Sequence, residues 1–305
     1  MTAAATVSDV TMRFSEHTAL AGVSTSIEQD AITGLLGRNG AGKTTLMQLL
    51  TGHRVPSSGR VEVFGARPYE NDDVLRRTCF IKEGQRYPDH FRVRDALHGA
   101  SLLFPGWDAD LAQALLTDFE LPAGRPIKKL SRGMNSAVGI IIGLASRAPF
   151  TLFDEPYAGL DVVARHQFYG RLLADYAEHP RTILISTHLI EEIADLLERV
   201  LLIDRGRLLL DTDAESVRGS AVTVRGPEER IQAFAAGHDL LHLDTLAGTG
   251  RAVVRLRSGG DDPDTCGLMA EPTNLQELVV AMSLAPPATG GARHSSTDAL
   301  QEVPR

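Results

Sequence analysis

Gly37-Arg38-Asn39-Gly40-Ala41-Gly42-Lys43-Thr44 is the stretch that decides the fold. It fits GxxxxGK[ST], and it stands directly after the apolar run Ile32-Thr33-Gly34-Leu35-Leu36 and directly before residues 43–52, which read as a helix. Glycines let the backbone wrap tightly, so that consecutive N–H groups and the helix N-terminus point at phosphate oxygens. In such a loop Lys43 neutralises the β and γ phosphates of a nucleotide and Thr44 holds Mg²⁺. A glycine-rich turn without a ligand is the alternative for the octet alone; the strand before it and the helix after it argue against that.

Working outward, residues 7–14, 23–27 and 59–64 read as strands, and residues 93–119 as helical up to Pro122. After Lys128 the chain alternates: helix over 131–146, buried strand over 150–153, helix over 162–179, strand over 182–186. That alternation implies a parallel sheet with crossover helices. The strand Phe150-Thr151-Leu152-Phe153 ends in Asp154-Glu155. The carboxyl edge of an α/β sheet is where ligands bind, so Asp154 is expected to support Mg²⁺ and Glu155 to polarise an attacking water. Two surface charges ending a strand would be the plainer reading of that pair on its own.

Leu130-Ser131-Arg132-Gly133-Met134 narrows the choice. With the phosphate loop and Asp154-Glu155, it makes the chain resemble the ABC ATPases over roughly residues 5–210. The pentapeptide is similar to the family's LSGGQ signature, with Arg132 where the second motif glycine is expected and Met134 where glutamine is expected; Ser131 lies 23 residues before Asp154. Ser131 also suits a helix N-cap in its own right. The resemblance implies that Ser131 and Gly133 contact a nucleotide held by another subunit, and that the phosphate loop (Gly37, Asn39, Gly40, Ala41, Gly42, Lys43, Thr44 and Thr45) cradles it. Gly159-Leu160-Asp161 resembles the family's D-loop, and Ser186-Thr187-His188 its switch histidine, with His188 sensing the γ-phosphate and holding the water and Glu155. Phe14, 29 residues before Lys43, stands where the family stacks an aromatic on adenine; a core aromatic at a strand end is the alternative. In Cys79-Phe80-Ile81-Lys82-Glu83-Gly84-Gln85, Glu83 aligns with the family's Mg²⁺-approaching glutamine, with Gln85 as the second choice and a solvated loop charge as the plain one.

Composition restricts the partners. With 31 Lys and Arg against 39 Asp and Glu, a formal charge of -8, the chain is a poor candidate for nucleic-acid binding, which needs excess cationic side chains on one face. The 43 % hydrophobic content is that of an ordinary globular chain. No signal-peptide pattern opens the sequence, and the longest apolar run of helical look, residues 137–145, is far short of the ~20 residues that span a bilayer. Cys79 and Cys266 form neither a CxxC pair nor a disulfide framework. Together with the resemblance to the ABC ATPases, this implies a cytoplasmic protein lying on the inner face of the cell membrane and dependent on a separately encoded transmembrane permease.

The composition shifts near Gly206; residues 213–219 look like a linker, and a boundary is placed near 215. The expected architecture is therefore an α/β P-loop NTPase of the ABC ATPase type over 1–215, with a parallel-core sheet, an N-terminal antiparallel β part and a helical part at about 85–148. A small α+β unit follows over 216–284, with strands at 221–225, 240–243 and 252–256 and helices at 228–236 and 273–282. Residues 285–305 read as disordered. His238 and His242 read as a surface pair without further ligands.

The implied activity is a slow Mg²⁺-dependent ATPase that powers transport, as a homodimer or heterodimer with ATP between the subunits. Phe104-Pro105-Gly106-Trp107-Asp108 and the LSRGM form further resemble small bacterial export systems. Soluble ABC proteins of ribosomes or DNA repair carry two ATPase units or long insertions before the signature, and this chain has one phosphate loop and no room for an insertion. A GTPase would need a guanine-reading NKxD, which is missing, and neither a GTPase nor a kinase would explain LSRGM.

Overall fold

The computed structural model describes residues 2–217, 219–246, 248–256 and 267–284. Its first unit begins with β1 (Ala3–Phe14), β2 (His17–Glu28), β3 (Ile32–Leu36), α1 (Lys43–Leu50) and β4 (Ser58–Val63). Then come α2 (Asp72–Leu75), β5 (Thr78–Ile81), α3 (Val93–Leu103), α4 (Ala109–Asp118) and α5 (Arg132–Ala145). It continues through β6 (Phe150–Asp154), α6 (Val162–Glu178), β7 (Thr182–Thr187), α7 (Ile190–Ile193), β8 (Arg199–Asp204), β9 (Arg207–Asp213) and the single turn α8 (Ala214–Val217).

Two sheets build this unit. β2-β1-β4 is antiparallel; β5-β6-β7-β3-β8-β9 is parallel except for the edge strand β9. The parallel-core sheet and antiparallel N-terminal part agree with the expected fold class. Strands β3, β6 and β7 are buried at every position, as strands covered on both faces must be, which is why they read as unbroken apolar runs. One core joins the sheet to α3, α4 and α5; the other packs α1 between the two sheets.

Helix α5 is buried from Ala137 to Ala145 because sheet and helices enclose it, not because it meets lipid. Among the described residues no helix is long and apolar enough to cross a membrane. Gly143 makes the close approach possible, since a Cβ there would lie 2.4 Å from Phe153 Cε1. A mid-helix glycine costs about 1 kcal/mol against alanine. Close packing against Phe153, fully buried and worth roughly 1.5–3 kcal/mol of transfer free energy, offsets that cost.

The second unit comprises β10 (Ala221–Pro227), α9 (Glu228–Ala235), β11 (Asp239–Leu246), β12 (Thr249–Arg255), β13 (Met269–Pro272) and α10 (Leu275–Leu284). Its sheet runs β11-β12-β10-β13, antiparallel throughout, over its own small core around Val224, Ile231, Phe234 and Val254. α10 packs back onto α7 of the first unit, where Val279 joins the core that holds Ile190 and Ile193.

Several expectations need correction. Strands β5, β8, β9 and β13 were not foreseen, and β1 and β2 are longer than residues 7–14 and 23–27. Gly206 marks no change of unit: with Arg205 it forms the tight turn of the β8–β9 hairpin, both at positive φ. Residues 213–217 of the expected linker are packed structure, for Asp213 ends β9 and Ala214 N donates to Glu198 O at 2.8 Å. His238 and His242 are both half-buried, His238 in the bend between α9 and β11 against Phe234, and His242 on β11 beside Asp244. The tail 285–305 and Cys266 lie outside the described residues. Cys79 is free and buried, its thiol pushed up to about 12 by desolvation.

Candidate functional site

The strand order decides the site. With β3 beside β7 and β7 beside β6, the segments that leave their carboxyl ends emerge side by side; Leu36 is level with Thr187 and Asp154 with Ser186. The loop after β3 makes a cradle of about 360 Å³ whose walls include Asn39 to Thr45, with Phe14, Glu83 and Glu155 facing in. Gly37 has φ 147° and a Cβ there would lie 2.1 Å from Ile203 O, so glycine is required where the loop passes under β8. Gly42, at φ 114°, caps α1 and hands its free N–H groups to the cradle.

Lys43 is 6 % exposed, and its Nζ donates to Gly37 O at 2.7 Å and Arg38 O at 3.3 Å, with Glu155 Oε1 3.4 Å away. The ammonium is thus held by the loop's own carbonyls and one carboxylate, a cation preplaced for phosphate. Thr44 Oγ1 donates to Asp154 Oδ2 and Ser186 Oγ to Asp154 Oδ1, both at 2.7 Å. Burial pushes the Asp154 carboxyl above its ordinary range, while the two hydroxyls and Lys43 pull it down. A hydroxyl and a carboxylate in hydrogen-bond contact at the cradle floor are hard oxygen donors. They suit Mg²⁺, which takes one or two carboxylates and completes its octahedron with phosphate and water. No cluster of three or more acidic, His or Cys side chains that could hold a metal is found among the described residues.

Glu155 sits at positive φ where the chain turns off β6, its N–H bonded to Ser186 Oγ at 3.0 Å. His188 Nδ1 lies 2.7 Å from Glu155 Oε2. A carboxylate only accepts, so this contact puts the hydrogen on Nδ1. Tyr157 was not foreseen as a site residue. Its buried hydroxyl donates to Glu155 Oε2, lies 2.7 Å from Thr187 Oγ1 and accepts from His188 N at 3.0 Å, which uses its one donor and two acceptor positions. Glu155 Oε2 thus receives two hydrogen bonds, while Oε1 is buried without one and has Lys43 Nζ 3.4 Å away. Tyr157→Phe is expected to lower turnover about tenfold with nucleotide affinity unchanged, since one hydrogen bond of roughly 1–2 kcal/mol orients Glu155. Steady-state kinetics beside equilibrium ATP binding would test it.

The structure brings Lys43, Thr44, Asp154, Glu155 and His188 together, with Thr45 on the cradle wall. Phe14 faces the same cradle, half-buried, with the Arg54 guanidinium 4.7 Å over its ring. Of the two choices in the loop after β5, Glu83 lines the cradle; Gln85 does not, because its side chain folds back to accept from Lys82 N at 3.3 Å. Ser131, Gly133 and Asp161 line a different cavity. There Ser131 Oγ caps α5 by accepting from Met134 N, and Asp161 Oδ1 caps α6 by accepting from Ala164 N. Within one chain Ser131 and Gly133 do not line the phosphate cradle. Arg165 makes two bonds of 2.9 Å to Glu192, fixing the turn α7 that follows His188 against α6.

A phosphate loop at the centre of a parallel sheet, with a carboxylate pair and a histidine on neighbouring strands, defines a P-loop ATPase. The description "ABC transporter" attaches to the family that matches residues 20–158. The chain is 30 % identical over 259 residues to the aliphatic sulfonates import ATP-binding protein SsuB 1 of Nocardia farcinica (strain IFM 10152), covering 85 % of this chain and 94 % of that one. It is 32 % identical over 255 residues to the Nod factor export ATP-binding protein I of Burkholderia orbicola (strain AU 1054), covering 78 % and 83 %. Similarity extends to the ABC transporter ATP-binding protein YtrB of Bacillus subtilis (strain 168), 26 % identical over 203 residues, 67 % of this chain and 70 % of that one. Among solved structures, an ATP-binding subunit of an ABC transporter superposes with TM-score 0.64 at 23 % identity, covering 71 % and 92 %. A bacterial ABC transporter cassette solved as a dimer superposes with TM-score 0.61 at 20 % identity, covering 69 % and 98 %. The chain belongs to the ATP-binding proteins of ABC transporters, and is an ATP-binding, ATP-hydrolysing enzyme of transport.

Proposed function

We propose that the chain hydrolyses Mg-ATP between two ATPase subunits and so drives export through a separately encoded transmembrane permease, from the inner face of the cell membrane. The observation that carries this is the meeting of Lys43, Thr44, Asp154, Glu155 and His188 at one sheet edge while Ser131 and Gly133 face another cavity. Each subunit then supplies half of a site: the cradle holds ATP, and a second subunit's Ser131 and Gly133 close over the γ-phosphate. Thr44 and Asp154, with Glu83, would hold Mg²⁺, which supplies charge neutralisation of the phosphates when bound. Phe14 stacks on adenine. Glu155 Oε1 takes a proton from the attacking water, His188 and Tyr157 keep Glu155 in place, and Lys43 moves from its loop carbonyls to the phosphates.

Direction rests on the LSRGM form and on residues 104–108, since the relatives' names include both import and export. Residues 1–215 form the ATPase unit in this reading, and 216–284 a supporting unit whose α10 leans on α7. Tagged Glu155→Gln protein trapped with Mg-ATP in its native cell and purified from mildly solubilised membranes tests it. A stoichiometric multi-spanning membrane protein is the expected companion; ribosomes, DNA or soluble partners alone would refute the transporter role.

A further inference from the structure

The chain departs from the ABC pattern at Glu83, in place of glutamine, and at Arg132, in place of a signature glycine, and the fold sets these two side chains against each other. Arg132 Nη2 donates to Glu83 Oε1 at 2.7 Å. Both ends are anchored. Arg132 opens α5, where its Cγ lies so close to Gly159 that a Cβ on that glycine would come within 2.9 Å of it. One turn on, Asn135 Nδ2 donates to Gln85 O at 2.9 Å, so the first turn of α5 is tied twice to the loop after β5. Glu83 also lines the phosphate cradle together with Thr44, so the carboxylate bonded to Arg132 borders the same space as the hydroxyl proposed to hold Mg²⁺.

The two claims on Glu83 oppose each other, because a guanidinium beside the carboxylate repels a second cation and its hydrogen bond weakens the oxygen as a metal donor. The side chains are 69 % and 47 % exposed, and exposed ion pairs contribute little, so the bond is weak enough to exchange. We propose that Arg132 and the cation that accompanies ATP compete for the Glu83 carboxylate: the pair holds the first turn of α5 to the loop in the empty chain and lets go when Mg-ATP binds. This rests on the reading that the cradle binds Mg-ATP.

The test is a Mg²⁺ titration of the full chain at fixed fluorescent ATP analogue, following binding and not turnover. Arg132→Gln removes the competitor and is expected to lower the Mg²⁺ concentration at half-saturation about 1.5- to 5-fold, the range that exposed pairs span. Glu83→Gln raises it. The double variant matches Glu83→Gln, and Arg132→Gln alone leaves analogue binding in EDTA at the wild-type level. If Arg132→Gln shifts the midpoint as much in the Glu83→Gln background as in the wild type, or shifts it upward, the competition is refuted. Wild-type protein that binds no nucleotide overturns the Mg-ATP reading and the competition with it; wild-type protein that binds normally while the two substitutions act independently overturns the competition alone.

Discussion

Glu155→Gln is expected to cut ATP turnover by about 100- to 10,000-fold, the usual contribution of a positioned general base, with nucleotide affinity held within a few fold. The substitution preserves shape. The amide oxygen still accepts from Tyr157 and from His188 Nδ1, so the network around Thr187 survives. What disappears is the basic oxygen Oε1, the one that receives no hydrogen bond. Lys43 loses a partner 3.4 Å away but keeps its carbonyl acceptors Gly37 and Arg38, so the cradle stays formed. Single-turnover phosphate release beside equilibrium nucleotide binding separates the two effects; unchanged release would remove Glu155 from the role of base.

Lys43→Met is expected to act on the other step and weaken ATP binding about 10- to 100-fold, matching the roughly 1.5–3 kcal/mol of a hydrogen bond to a charged group. Methionine fills the buried stem's space but brings no charge to phosphate. The empty protein should lose stability as well, about 3–5 kcal/mol at most, since two loop carbonyls lose one donor and the buried Glu155 carboxylate loses its cation. Calorimetric titration with ATP and thermal unfolding without ligand would show these two losses. Full ATP affinity in this variant would mean the cradle recognises phosphate through backbone N–H groups alone.

The two variants together probe a division already visible in the resting site. Glu155 holds Lys43 and His188 through different oxygens, so the carboxylate proposed as the base is tied to the cradle wall in the protein alone. In the proposed mechanism, phosphate entering the cradle competes for Lys43 and draws it away from Oε1. The turn α7 behind His188 is braced by Arg165–Glu192 on one side and by α10 on the other, which brings the second unit into contact with the switch.

The sequence by itself determined the phosphate loop, the Asp154-Glu155 pair and the alternation of helix and buried strand. Each is written in contiguous residues whose spacing carries the chemistry: glycines around a lysine, or carboxylates at the end of an apolar run. It also marked Glu83 and Arg132 as departures from a family pattern, each without its partner. The tertiary structure alone decided that these two meet, that Glu83 and not Gln85 faces the cradle, and that Tyr157, Ser186 and Thr187 gather around the carboxylates. Those contacts depend on which strands become neighbours and on which way a loop side chain turns. Short strands such as β5 and β13 likewise owe their existence to pairing with distant partners, β6 and β10, and four residues carry too little periodicity to announce it.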